Sequence, residues 1–91
     1  MNRACATVAV RNRRGLHARA SARFCEIASG FQAEVTVTKD GVTVGGCSLM
    51  ALLMLGAGAG SEVTIRANGD EAEEAVEALS ALVAGRFGEE S

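Results

Sequence analysis

The 91-residue chain has no proline, no tryptophan and no tyrosine, and its three aromatic side chains are all phenylalanine. Without Trp or Tyr it lacks the stacking pair that single-stranded RNA modules use, and a pI of 5.3 also argues against a nucleic-acid partner. Without proline or any low-complexity stretch, nothing divides the chain, so one domain over residues 1–91 is expected. No apolar run approaches the roughly 18 residues of a membrane-spanning helix. The start, MNRACATVAV, has one Arg but no apolar core ahead of a cleavage site. A cytoplasmic protein without membrane insertion is the expectation. Cysteine is scarce and odd in number, at Cys5, Cys25 and Cys47. That spacing fits neither a disulfide framework nor a CxxC pair, so reduced, half-buried thiols and no metal site are expected. A chain of this size buries only about 60 to 65% of its unfolded surface, which leaves little room for a deep catalytic cavity.

What is present is strongly patterned. Cys5 to Val10 alternates with a period of two and reads as a strand ended by RNRRG. After His17, Ala20, Phe24, Ile27 and Ala28 keep helical spacing, with Arg19, Arg23 and Glu26 opposite and Gly30 as the stop. AEVTVTKDGVTVGG is a hairpin whose Asp40-Gly41 turn requires positive φ and sets Val37 against Val44 and Thr38 against Thr43. CSLMALLMLG predicts a helix of about two turns, with Ser48 as its N-cap and Gly56 as its stop. SEVTIRANG alternates again, and Asp70 with Glu73 has capping-box spacing before a last helix on Ala72, Ala75, Val76, Leu79, Leu82 and Val83. The order is β-α-β-β-α-β-α. Strands with one apolar face and helices with one apolar stripe predict an α+β open-faced sandwich: a four-stranded antiparallel sheet covered on one side by three helices. Its other face should be wet.

The segment NRRGLHARASAR carries the only histidine. If the helix starts near Ala18, His17 is its cap, and the free N–H groups of Ala18, Arg19 and Ala20 form an anion site at the positive end of the helix dipole. The ring at this position is read as a nucleophile. A phosphoryl group on a ring nitrogen would lie against these N–H groups, with Arg19 offsetting its charge. Arg13 and Arg14 precede Gly15 and are read as steering acidic partners rather than as part of the site. In the second helix, Leu52 and Leu55 can face the sheet, but Leu49, Met50, Leu53 and Met54 cannot all be buried as well. An exposed apolar patch for partner docking is therefore predicted there, with adaptable methionines.

GLHARASARF, GGCSLMALLMLG and GSEVTIRANGDEAEEAVEAL together resemble HPr, the histidine phosphocarrier family of the bacterial phosphoenolpyruvate-dependent phosphotransferase system. The resemblance runs in order and at matching spacing over nearly the whole chain. It implies that His17 takes phosphate on Nδ1 from phospho-Enzyme I and yields it to an EIIA-class protein. It also implies that Arg19 assists the phosphoryl group, and that Ser48 is a regulatory site for an HPr kinase/phosphorylase in bacteria that have one. Proline commonly stands in the family where this chain has Ala20; in that respect the chain is similar to HPr-like proteins that regulate nitrogen or carbon use.

The expected protein is thus a monomeric carrier that uses no cofactor and is not an enzyme. Its docking surface is expected to combine Arg23 with Leu49, Met50, Leu53 and Met54. The alternatives are a nucleic-acid-binding module built on the basic RNRRG loop and a soft-metal chaperone using Cys, Met and His. Neither has residues at the required spacing.

Overall fold

The computed structural model describes residues 2–90. Its elements are β1 (Asn2–Ala9), α1 (Ala18–Ser29), β2 (Glu34–Lys39), β3 (Val42–Gly45), α2 (Leu49–Leu55), β4 (Glu62–Gly69) and α3 (Ala72–Ala84), with a 3-10 turn at Arg86–Gly88. The four strands form one sheet in the order β1-β4-β2-β3, every neighbouring pair antiparallel. The architecture is the expected α+β open-faced sandwich. Alternation explains it: Val35, Val37, Val63, Ile65 and Ala67 all point inward, where they are buried with Phe24, Leu52 and Leu79 from the three helices. On the open face, hydroxyls pair across strands, Thr7 with Thr64 at 3.0 Å and Thr38 with Thr43 at 2.7 Å.

The hairpin has the expected register, Val37 facing Val44 and Thr38 facing Thr43. Asp40 and Gly41 both take positive φ, 49° and 81°, as a two-residue turn with the right twist requires. Four details differ from the sequence reading. β1 begins at Asn2 rather than Cys5, because β4 runs on to Gly69 and supplies a partner for each added residue. Cys5 and Cys47 are exposed, Cys5 on an outward position of β1, and only Cys25 is half-buried. The capping box does not form: α3 is capped at Glu71, whose carboxylate instead accepts from the Gln32 backbone N–H at 2.8 Å. The chain also keeps contributing past the last helix, where the sequence reading placed no further element. Phe87 is buried in the core cluster, reached through two consecutive left-handed residues, Arg86 (φ 60°) and Phe87 (φ 55°).

Candidate functional site

The site is assembled where three distant pieces of chain meet the start of α1. Gly15 comes first, with φ of 63°, and a Cβ there would sit 2.3 Å from the Ala57 carbonyl oxygen and 2.7 Å from the Gly58 Cα. Only glycine fits both the dihedral and the close approach. The next residue fastens the two loops together, since the Leu16 N–H donates to the Ala57 carbonyl at 2.9 Å. Beneath this turn lies Asn12, fully buried, whose Nδ2 donates to the Gly15 carbonyl at 2.8 Å and to Glu89 Oε1 at 3.0 Å. These two acceptors fix the orientation of the amide, and its Oδ1 is buried without a partner.

With the turn so held, His17 caps α1 in extended conformation. The first intrahelical bond runs from the Ser21 N–H to the His17 carbonyl at 2.8 Å, and Ser21 Oγ donates back to the Leu16 carbonyl at 3.0 Å. The N–H groups before Ser21 thus have no intrahelical acceptor. That of Arg19 donates to His17 Nδ1 at 3.2 Å. The other ring nitrogen, Nε2, lies 2.5 Å from Glu89 Oε2. The carboxyl of Glu89 is held below its ordinary value of 4.5, first by the hydrogen bond from His17 and second by that from Asn12, with lesser Coulombic help from Arg19.

An open cavity of about 560 Å³ fronts the site, lined by Arg13, Arg14, Arg19, Glu89 and Glu90. Arg13 and Arg14 thus line one cavity together with Arg19. Ala20 is buried in the core, so the side chain at this position faces inward while its backbone stays in the first turn. Among the described residues no group of three or more His, Cys, Asp or Glu side chains could hold a metal ion.

At the start of α2 the local structure follows the sequence reading closely. Ser48 caps α2, its Oγ accepting from the Ala51 N–H at 3.3 Å, and Gly56 ends the helix at φ of 69°. Leu52 and Leu55 are buried, whereas Met50 and Met54 are 65% and 80% exposed and Leu49 is exposed beside them. Leu53 is half-buried. Arg23 is exposed on α1, which packs against α2. Two site residues escaped the sequence reading. Asn12 had a local signal, a polar residue three before a left-handed glycine in a tight turn. Glu89 had none, because it meets His17 across 72 positions of chain.

Comparison with known proteins gives a consistent result. Residues 4–85 match the PTS-HPr family model, described as the PTS HPr component phosphorylation site. The phosphocarrier protein HPr of Cupriavidus necator is 46% identical over 78 residues, 86% of this chain and 88% of that protein. The phosphocarrier protein NPr of Shewanella violacea is 38% identical and covers 92% of each chain. Among solved structures, HPr-C-His from Thermoanaerobacter tengcongensis superposes with a TM-score of 0.92 at 40% identity over the full length of both chains.

Proposed function

The chain belongs to the HPr family of phosphoryl carriers, which are not themselves enzymes, and from this premise we propose that His17 carries the phosphoryl group on Nδ1. The observation that supports this atom is the bond from the Arg19 N–H to Nδ1. A backbone N–H can only donate, so Nδ1 bears a lone pair and is the nucleophilic nitrogen. In the proposed step this lone pair attacks the phosphorus of the phosphohistidine of Enzyme I in line. The new P–N bond forms as the donor's P–N bond breaks, and the departing electron pair returns to the donor imidazole. Such a transfer depends on positioning and charge stabilisation more than on acid-base chemistry. The N–H groups of Ala18, Arg19 and Ala20 and the guanidinium of Arg19 would receive the phosphoryl oxygens, and Arg13 and Arg14 would draw the acidic donor in. The reverse displacement then delivers the group to a histidine of an EIIA-class acceptor.

Both partners would dock on one surface, Arg23 with Leu49, Met50, Leu53 and Met54. An HPr kinase/phosphorylase, where one exists, would modify Ser48 at its rim. The setting is cytoplasmic, and the chain works as a monomer and one domain over residues 1–91. The test is to incubate the protein with phosphoenolpyruvate and Enzyme I and follow it by phosphorus NMR. An acid-labile Nδ1 phosphohistidine is expected in wild type and none in His17→Ala; a labelled His17→Ala protein would end the assignment.

A further inference from the structure

We propose that Glu89 is a positioning residue for His17, a carboxylate that keeps the ring proton on Nε2 throughout the phosphoryl cycle. The inference rests on the reading that His17 is the carrier. It begins from a division of labour between the two ring nitrogens. Nδ1 accepts the Arg19 N–H, so the proton of the neutral ring is on Nε2, and Nε2 faces Glu89 Oε2. A carboxylate there favours this tautomer over the one in which Nδ1 is protonated and unable to attack.

The same contact balances charge after the transfer. When Nδ1 gains phosphorus while Nε2 keeps its proton, the ring becomes an imidazolium, and the Glu89 carboxylate lies directly against its N–H. When the phosphoryl leaves, the P–N electron pair returns to Nδ1 and the ring is neutral again, the Nε2 proton never having moved. The two nitrogens diverge from opposite edges of the ring, so the carboxylate need not face the incoming phosphoryl. The charged groups around Glu89 are Arg19 from α1, Arg13 and Arg14 from the preceding loop, and Glu90 from its own segment.

Three observations indicate that the contact is built rather than incidental. The buried Asn12 amide bonds both Glu89 and the Gly15 carbonyl, so one side chain sets the carboxylate and the turn that presents His17. Phe87 anchors the segment in the core. The chain reaches that anchor through two left-handed non-glycine residues, a strained conformation that persists only where packing over-determines it. Glu89 also lies beyond residues 4–85 that match the family model.

The test uses the full chain with ¹⁵N-labelled histidine, as wild type, Glu89→Ala and Glu89→Gln. Ring nitrogen shifts of the unphosphorylated protein report the tautomer, and the initial rate of labelling by Enzyme I reports transfer. Expected in wild type is a single Nε2–H tautomer. In Glu89→Ala the two tautomers should mix and the kcat of Enzyme I acting on the protein should fall about tenfold, the worth of one charge-assisted hydrogen bond, at an unchanged KM of Enzyme I for the protein. Glu89→Gln, which keeps an acceptor but not the charge, should hold the tautomer and recover only part of the rate. Ring shifts identical in wild type and Glu89→Ala overturn the positioning role, however well wild type is labelled. A wild type with a Glu89-dependent ring that Enzyme I never labels overturns instead the carrier reading.

Discussion

Two helices in this molecule begin in the same way and are supported in opposite ways. α1 and α2 each start at an extended residue whose side chain accepts a backbone N–H, His17 from Arg19 and Ser48 from Ala51. Around His17 the support is buried: a glycine pressed against another loop, a fully buried Asn12, and a carboxylate held on the ring. Around Ser48 it is limited to Gly46, whose N–H donates to the Val35 carbonyl at 2.8 Å, while Gly45, Cys47, Ser48, Leu49 and Met50 are all exposed. The lesson is that a helix start alone does not make a phosphoryl site. An end that must hold a reactive group between partners is braced from several parts of the chain, whereas an end that a separate protein would modify is left accessible.

The strongest test removes the brace. Gly15→Ala places a methyl group on the backbone of Ala57 and Gly58 at a left-handed position, and should cost at least about 3 kcal/mol in urea denaturation along with most of the phosphoryl acceptance. Gly56→Ala, at the end of α2, is equally left-handed but meets nothing within 4 Å, and should cost only about 1 kcal/mol. The next effect belongs to the other helix. Ser48→Asp keeps a capping oxygen and adds charge beside Leu49 and Met50, so labelling by Enzyme I should slow about tenfold while stability stays within about 0.5 kcal/mol. Labelling at the wild-type rate would remove Ser48 from regulation.

A smaller contrast appears with pH. Glu89 is depressed below 4.5 in the folded protein, so between the two values the unfolded chain binds a proton that the folded chain does not. The contribution of the tail is therefore complete above 4.5 and lost as pH falls through the lower folded value. Urea midpoints measured from pH 6 to 3 should decline more steeply for wild type than for Glu89→Gln; parallel curves would show that the carboxylate contributes nothing. The smallest expected effect is that of Ser48→Ala. Its capping bond is long at 3.3 Å, and the loss should be near the lower end of the capping range, about 0.5 kcal/mol.

The same contrast explains what could be read from the amino-acid sequence. Ser48, Gly56, the Asp40-Gly41 turn and the His17 cap are local features, each written within a few residues, and each stands in the structure where expected. The apolar excess of α2 was legible because two buried leucines already fill its inward face. Local spacing misled at Asp70 and Glu73, where the Gln32 backbone competed for Glu71 and the helix took a different cap. It also could not place Cys5, whose exposure is decided by the face of β1 that it occupies, or Cys47, which lies in the turn between β3 and α2. Phe87 and Glu89 were missed because their roles exist only after the sheet has brought distant segments together, whereas Asn12 bonds the nearby Gly15 carbonyl as well as Glu89 and was legible in part.

The antiparallel pairing of β1 with β4 bears on when the protein can first work. A chain leaving the ribosome presents its N-terminal residues early. His17 is among them, yet β1 must wait for residues 62–69 to find its partner, and the ring must wait for Glu89, 72 positions later. A nascent chain thus carries the proposed carrier histidine through the synthesis of β2, β3 and α2 without the surroundings described here. Competence should rise steeply once residues 62–69 have paired with β1 and improve again when Glu89 meets the ring, so that a copy truncated before β4 exposes a histidine but does not draw phosphate from the donor.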